Sequence, residues 1–392
     1  MGQIEASDAA ARAALAMPGM QGLDRAQLLD SMVMNEGLAG HSQAALALAE
    51  TAAALSAQLG DTYGVIRGMY RRGVFLLELG DLAGAVRELQ CAAESCERYG
   101  FTSMLRGILY NLVCAYAAQT QPALMLATTQ RGWALQPPLP PNDLRMMYRL
   151  AFVDAHLSLG ELGQAWGNAF AAVDEAISLG TQLSLAATAN TCSDLFAILG
   201  DQDCSTRLLA AISTDAMRQM PQMALGMWIA RAQAALKRGD RGAARLALAQ
   251  LPAPADIESP REYTRLCLVQ AELALAEGDA LRALALLPGA DAPGMNDEMW
   301  LRALATRVSA EACRGELAAA TLAAARTALN AEVVHAVAAL ALHHALAAAQ
   351  RAGVAGVSAD AQQACAAHVA RLADSLRTHP VQQAAFLGAW ST

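Results

Sequence analysis

The sequence predicts an all-α protein built from a repeated helical hairpin. Hydrophobic residues make up 55% of the 392 residues and aromatic residues only 5%, so the apolar content is dominated by alanine and leucine, which favour helices over strands. A glycine followed by an acidic residue recurs at intervals of 80, 40, 39, 39 and 37 residues. Such a period is typical of repeat arrays. The markers are Gly80-Asp81, Gly160-Glu161, Gly200-Asp201, Gly239-Asp240, Gly278-Asp279 and Gly315-Glu316.

Two further copies of the marker are degenerate. One is Gly40-His41, and the other is Gln119-Thr120-Gln121, which fills the double interval. A second glycine follows some markers after 20 residues, at Gly60, Gly100 and Gly180. Each unit is therefore predicted to contain two helices and two turns.

The residue types at the marker suit a turn between two helices. Glycine just past a helix adopts the left-handed conformation with little strain, and an acidic residue after it suits the positive end of the next helix. Five residues after the marker stands a small side chain, which would let an antiparallel helix approach to about 8–10 Å. These small residues are Ala45, Ala85, Ala165, Ser205, Ala244, Ala283 and Ala320.

Segments 79–85 (LGDLAGA) and 159–165 (LGELGQA) resemble the turn and second-helix start of tetratricopeptide repeats. The resemblance covers about residues 22–352. It extends to Gly73 and to the family's large-residue position, four before the marker. That position is held by Leu76, Tyr116, His156 and Phe196. The resemblance implies a right-handed α-α superhelical solenoid of about nine helix pairs.

The chain departs from this family in two respects. Its period is nearer 40 residues than about 34, and the proline that follows the second helix in the family is absent. The longer period is similar to that of the helical-repeat modules of bacterial signalling and transcription regulators.

Counting the units divides the chain into five parts. Residues 137–142 hold four prolines, cannot be helical, and are expected to form a stiff joint; a proline ligand for an aromatic groove is the alternative. The five parts are an N-terminal tail or cap (1–21), tetratricopeptide-like pairs one to three (22–136), the proline-rich joint (137–142), pairs four to eight with the start of pair nine (143–352), and C-terminal capping helices (353–392).

Charge and composition argue against several classes of partner. The net charge of −8 and the pI near 5.4 argue against direct nucleic-acid binding, which needs a basic surface. The longest apolar stretch, residues 333–349, is interrupted by three histidines and is mostly alanine, so no membrane span is expected. The eight cysteines form no CxxC pair and no export signal is visible, which together favour a cytoplasmic protein.

The sequence predicts no catalytic residues, no cofactor-binding motif and no metal site. The sequence lacks G-x-G-x-x-G, H-E-x-x-H and G-x-S-x-G, and its one lysine, Lys237, lacks the glycine spacing of a phosphate loop. His335 and His343 are eight residues apart, about 12 Å along one helix, too far to share a metal; a site that recruits His368 is the open alternative.

The resemblance implies that the first helix of each pair lines a concave face, at positions 13, 10 and 6 before the marker. Twelve of the 18 aromatic residues lie between Tyr63 and Phe170, and tyrosine and arginine dominate binding hot spots. Arg67, Tyr70 and Tyr110 are therefore predicted to anchor a partner, with simple packing of the tyrosines as the alternative. The full set of predicted partner-binding residues is Arg67, Tyr70, Tyr110, Asp154, Asn190, Asp194, Arg265 and Arg302.

A row of methionines is a second candidate site, for an apolar ligand. Met217, Met220, Met223 and Met227 lie along one side of a helix junction, although core filling is the simpler interpretation. The sequence as a whole favours a non-enzymatic scaffold or adaptor that binds a protein or peptide, in bacterial regulation or complex assembly. The alternatives are a ligand-sensing regulatory module that lacks its own output domain and an enzyme built on helical repeats.

Overall fold

The computed structural model is all-α, as predicted. It describes residues 2–39, 41–136, 142–213, 221–251, 253, 257, 260–331 and 334–390. Twenty helices lie in these ranges, and none of them is long and apolar enough to cross a membrane. The helices are α1 (Gly2–Leu15), α2 (Gly22–Leu38), α3 (Ser42–Gln58), α4 (Thr62–Glu78), α5 (Leu82–Tyr99), α6 (Thr102–Ala118), α7 (Pro122–Ala134), α8 (Asp143–Leu159), α9 (Leu162–Leu179), α10 (Gln182–Ile198), α11 (Gln202–Ala211), α12 (Pro221–Lys237), α13 (Arg241–Leu248), α14 (Pro260–Ala276), α15 (Ala280–Leu286), α16 (Asp297–Cys313), α17 (Ala319–Leu329), α18 (Ala336–Arg351), α19 (Ala361–Asp374) and α20 (Pro380–Trp390).

The marker residues form the turns between the helices. Gly80 is left-handed, with φ of 88°, and the Asp81 carboxylate accepts a hydrogen bond from the Gly84 backbone N–H at 2.9 Å. Asp240 and Asp279 accept equivalent bonds at 2.9 and 3.0 Å. These aspartates therefore cap the next helix by a hydrogen bond, which is more specific than the charge complementarity expected from the sequence.

The small residue after the marker is buried in six of the seven units, and Ala320 is the exception. Ala320 is exposed, so the prediction was wrong at that position. The cause is a longer turn: the Glu311 carboxylate accepts from the Ala318 backbone N–H at 2.9 Å, and α17 begins only at Ala319. Thr321 takes the buried place instead, with its hydroxyl donating to Glu311 at 2.9 Å.

The helices form two compact units, Met1–Gln136 and Pro137–Thr392. In the N-terminal unit, α1 to α7 pack in chain order, and α4 also contacts both α2 and α6. Gly73 allows α4 and α5 to approach closely, because a Cβ atom there would stand 2.6 Å from Leu89 Cγ. Of the predicted proline joint, residues 137–141 lie outside the described residues, and Asn142 caps α8 by accepting from the Arg145 N–H at 2.9 Å.

The C-terminal unit closes on itself, which the sequence did not predict. Its inner helices are α8, α10, α12, α14, α16 and α18; each contacts the next, and α18 also contacts α8. The outer helices α9, α11, α13, α15, α17 and α19 each pack on the inner helix that precedes them, and α20 packs on α19. The first and last inner helices are thus neighbours although 176 residues lie between them in the sequence.

Tight contacts at the turn between α8 and α9 support this closure. The Ser375 hydroxyl accepts a hydrogen bond from the Leu162 backbone N–H at 2.9 Å. A Cβ atom on Gly163 would stand only 2.5 Å from the Ser375 carbonyl oxygen. Phe386 of α20 is fully buried in the same core cluster as Phe196 of α10. Both polar and apolar contacts therefore join the end of the unit to its beginning.

Thr120 should be a strained residue at the degenerate marker. It is the one non-glycine residue with positive φ (53°) in the described ranges. A β-branched residue resists this conformation by about 1–2 kcal/mol. Thr120→Gly should therefore raise the free energy of unfolding by about 1 kcal/mol, because the relieved strain exceeds the added flexibility of the unfolded chain.

The reverse substitution, Gly80→Thr, is the matched control in the same unit. No atom lies within 4 Å of a Cβ built at Gly80, so only backbone strain should destabilise this variant. Denaturant unfolding of both variants gives the measurement. Thr120→Gly should raise and Gly80→Thr should lower the free energy of unfolding; shifts of the same sign in both variants would show that the left-handed turn does not determine stability.

Candidate functional site

Polar residues of the inner helices form what we term the inner charged cluster of the C-terminal unit. Its carboxylates outnumber its arginines and lysine. Five of its members were predicted from the sequence as partner-binding residues: Asp154, Asn190, Asp194, Arg265 and Arg302. The complete cluster is Asp154, Asn190, Asp194, Gln233, Lys237, Arg261, Glu262, Arg265, Glu272, Glu298, Arg302 and His335.

The helical periodicity explains why these residues share a face. Residues four apart lie on the same side of a helix, as Asn190 and Asp194 do on α10, and Glu298 and Arg302 on α16. Apolar residues occupy the remaining faces and are buried between helices, for example Leu195 of α10. Packing of the apolar faces therefore turns the polar faces of successive inner helices toward one another.

Arg265 links two helices that are not consecutive inner helices. Its Nη1 donates to both carboxylate oxygens of Glu262 at 3.0 Å, and its Nη2 donates to Asn190 Oδ1 at 3.0 Å. The second bond joins α14 to α10, across 75 residues of sequence. Gly226 of α12 lies against this pair, since its Cβ would stand 3.6 Å from Asn190 Oδ1.

Arg302 forms the second arginine centre of the cluster. Its Nη2 donates to both oxygens of Glu272, at 2.8 and 2.9 Å. With the Gln233 amide oxygen turned toward it, Arg302 also donates to Gln233 at 2.7 and 2.9 Å. Burial opposes the charge of Arg302, but the carboxylates of Glu272 and Asp194 outweigh that cost and raise its pKa.

Asp194 has hydrogen-bonding capacity that the protein does not use. Lys237 Nζ lies 2.9 Å from its Oδ2, and although burial opposes ionisation, Lys237 and Arg302 lower the pKa of this carboxyl. Its other oxygen, Oδ1, is buried and has no hydrogen-bond partner among the described residues. The side chain as a whole remains 27% exposed. A donor group that entered from solvent could therefore reach the carboxylate.

Asp154 is surrounded by protein yet still exposed to solvent. Burial and the neighbouring Glu298 carboxylate raise the pKa of Asp154 to about 7. Burial also acts on Glu298, but attraction to His335 and Arg302 outweighs it and lowers the pKa of this carboxyl. Since solvent reaches Asp154, its exposure moderates the effect of burial on this pKa. Two neighbouring carboxyl groups therefore differ in proton affinity.

The other three predicted residues lie in the N-terminal unit and do not join the cluster. Arg67 Nε lies 3.2 Å from Asp30 Oδ1, so this guanidinium already has a carboxylate partner. The Tyr70 hydroxyl accepts from Asn111 Nδ2 at 3.0 Å, and burial raises the pKa of Tyr70. Tyr110 is half-buried. Arg67 and Tyr70 thus make contacts within this unit.

Several members of the cluster were missed by the sequence prediction. Glu298 stands four residues before Arg302 and Glu262 three before Arg265, so helical spacing from these two predicted arginines could have indicated both glutamates. Helical spacing does not indicate His335, because this residue precedes α18 and is not part of a helix. It caps α18, with Nδ1 accepting from the Ala338 N–H at 3.2 Å.

The sequence analysis also named histidines and methionines as candidate ligand-binding residues. His335 precedes α18 instead of lying within it, and the rings of His343 and His368 are 4.8 Å apart. Within the described ranges no group of three potential ligands could hold a metal ion. Met227 is buried in the core, whereas Met217 and Met220 lie outside the described residues.

No protein-family model matches the chain, and its sequence has no significant match among curated proteins. The likeness to tetratricopeptide repeats is therefore carried by the residues of the turns and not by a family match.

The raised pKa of Asp154 predicts a pH-dependent difference between the wild type and Asp154→Asn. The folded-state pKa of about 7 lies above the unfolded value of about 3.9, so the folded state loses stability as the pH rises from about 4 to about 7, and this loss is complete above that range. The variant should be more stable than the wild type at pH 8 and equal to it near pH 3.5. Thermal melting across this range measures the difference, and a constant difference at all pH values would contradict the shift.

Proposed function

We propose that the chain is a binding protein of the tetratricopeptide type, a right-handed solenoid without catalytic residues. Three features support this proposal: left-handed glycines at the turns, aspartates that cap the second helices, and small buried residues where paired helices approach. Inner helices that contact one another in chain order would present a continuous binding surface, as in other repeat proteins.

The inner charged cluster is the proposed binding site, and its partner is a peptide segment that carries a basic side chain. The Asp194 carboxylate carries this assignment, because one of its oxygens accepts no hydrogen bond from the described residues while its side chain is 27% exposed. A lysine or arginine could pair with this carboxylate, and the exposed Asp154 carboxyl would add a second negative charge when it is ionised. When Asp154 is ionised, the carboxylates of the cluster outnumber its arginines and lysine, which favours a cationic ligand.

The charged groups of the cluster pair mainly with one another, which supports a role in binding and not in catalysis. Arg302 binds Glu272 of the neighbouring inner helix, and Arg265 is held by Glu262 on its own helix while it donates to Asn190 of another, so both arginines are oriented to link inner helices. Their fixed positions would preorganise the two acidic groups for a ligand. A second contact region for the partner remains a prediction from the sequence: Arg67, Tyr70 and Tyr110 of the N-terminal unit.

A ligand-sensing regulatory module without its own output domain is the second candidate function. The contact of α18 with α8 favours it, because a ligand bound between closed inner helices would touch several of them at once. A bound cation would also shift the pKa of Asp154 and so couple occupancy to pH.

Selection from a random peptide library on the immobilised full chain tests the proposed function. Enriched peptides should contain lysine or arginine, and their affinity should rise as the pH increases from 6 to 8, because Asp154 becomes ionised. The double variant Asp154→Asn/Asp194→Asn should bind the selected peptides at least about tenfold more weakly, which corresponds to about 1.4 kcal/mol.

The matched control neutralises two aspartates outside the inner helices, Asp174 of α9 and Asp203 of α11, both exposed. Asp174→Asn/Asp203→Asn has the same net charge as the test variant and should bind as the wild type does. Both variants are first shown to unfold cooperatively from a helical state, because Asp154→Asn is itself expected to change the melting temperature. Equal weakening in both variants, or enrichment without basic residues, would refute the assignment.

A further inference from the structure

A groove runs along the outer side of α12, away from the inner charged cluster. Trp228, Arg231, Ala235 and Arg238 recur at intervals of three and four residues, so one stripe of α12 lines it. Gln233 of the cluster lies two residues from Arg231, about 200° around the helix. The groove has a volume of about 370 Å³, in the range of small-molecule sites, which is about 300–1,000 Å³.

Arg231 is held in the groove without a counter-charge. Its guanidinium carbon lies 4.7 Å from the centre of the Trp228 ring, in cation–π contact. Its Nε is buried and has no hydrogen-bond partner, and no carboxylate of the described residues pairs with it. A buried donor without an acceptor costs about 1–3 kcal/mol. Burial lowers the pKa of Arg231, and no carboxylate of the described residues opposes this effect. Within the part of the chain that the structure describes, Arg231 therefore has no anionic partner.

The rest of the groove is apolar at its base and positive at its rim. Leu246 of α13 is 71% exposed and forms one side, and Ala235 and Ala247 supply small side chains beneath. Arg238 is exposed at the rim and forms no ion pair with the described residues. Exposed apolar surface beside two unneutralised guanidinium groups suits a ligand with one carboxylate and an apolar body.

We propose that this groove binds a small free carboxylic acid with an aliphatic body. The carboxylate accepts hydrogen bonds from the Arg231 guanidinium, which presents a fork that matches carboxylate geometry. The aliphatic body lies on Ala235 and Ala247 and covers Leu246. The site shares no residue with the inner charged cluster, so it stands or fails independently of the proposed peptide site.

Fluorine NMR of the full chain labelled with 5-fluorotryptophan tests this proposal with octanoate as the probe. The chain has five tryptophans, and the resonance of Trp228 is the one that disappears in Trp228→Phe. Octanoate should shift this resonance saturably and leave the other four in place. Octanamide, which has the same chain but no negative charge, should cause no shift at the same concentration.

Two arginine variants separate the site from non-specific adsorption. Arg231→Gln should weaken octanoate binding at least about tenfold, and Arg231→Lys, which keeps the charge but loses the fork, should weaken it less. Arg207→Gln is the matched control, since Arg207 is an exposed arginine of α11 outside the groove that pairs with Asp174. It should bind octanoate as the wild type does.

Several outcomes would overturn the proposal. One is the absence of a saturable shift of the Trp228 resonance with octanoate, and another is equal binding by folded Arg231→Gln, with folding judged by thermal melting. An acetylated tripeptide that ends in leucine gives the third arm. If it shifts the Trp228 resonance where octanoate does not, the groove receives a peptide carboxyl terminus and not a free acid.

Discussion

The contact between α8 and α18 is the constraint on which the C-terminal unit depends. Consecutive helices of a repeat array need only touch their neighbours, and such an array can end anywhere. Here the Leu162 N–H bonds to Ser375, and Gly163 leaves room for the Ser375 carbonyl, so the last helices rest on the first turn. Closure brings the polar faces of six inner helices together, and the inner charged cluster is the result.

The cluster combines stabilising and unsatisfied groups. Arg302 pairs with Glu272 across two inner helices, and because desolvation offsets much of the attraction between buried charges, this pair fixes the arrangement of the helices more than it stabilises it. Asp194 Oδ1 and the Asp154 carboxyl are the parts left open. A surface that is rigid in most of its groups and unsatisfied in a few has the character of a preorganised binding site.

Local features of the fold could be predicted from the sequence because they depend on a few adjacent residues. Gly80 and Asp81 close one helix and cap the next through contacts within a span of five residues. The prediction failed at Ala320, because a hydrogen bond from the Ala318 N–H to Glu311 lengthens the turn. The spacing of the markers does not indicate this bond, since Glu311 lies on the preceding helix. Closure could not be predicted, because repeats of equal length carry no information on which distant pair will meet.

In the candidate site, too, the positions of residues could be predicted from the sequence, but their contacts could not. Asp154, Asn190, Asp194, Arg265 and Arg302 follow from the repeat register, and the structure brings them together. Which groups pair with one another does not follow, since the bond from Arg265 to Asn190 crosses from α14 to α10. The outer groove was also not predicted, because an arginine without a carboxylate partner is visible only when the surroundings of Arg231 are known.

Two alanine substitutions in α9 test the closure most directly. Gly163→Ala places a Cβ 2.5 Å from the Ser375 carbonyl oxygen, whereas Gly167→Ala, one turn later, meets no atom within 4 Å. Native-state hydrogen exchange of the amides in α8 and α18 reports the stability of the contact. Gly163→Ala should lower it by about 1–3 kcal/mol, since the backbone must shift, whereas Gly167→Ala should leave it equal or up to about 1 kcal/mol higher. Unchanged protection of both helices in Gly163→Ala would show that the unit does not depend on this closure.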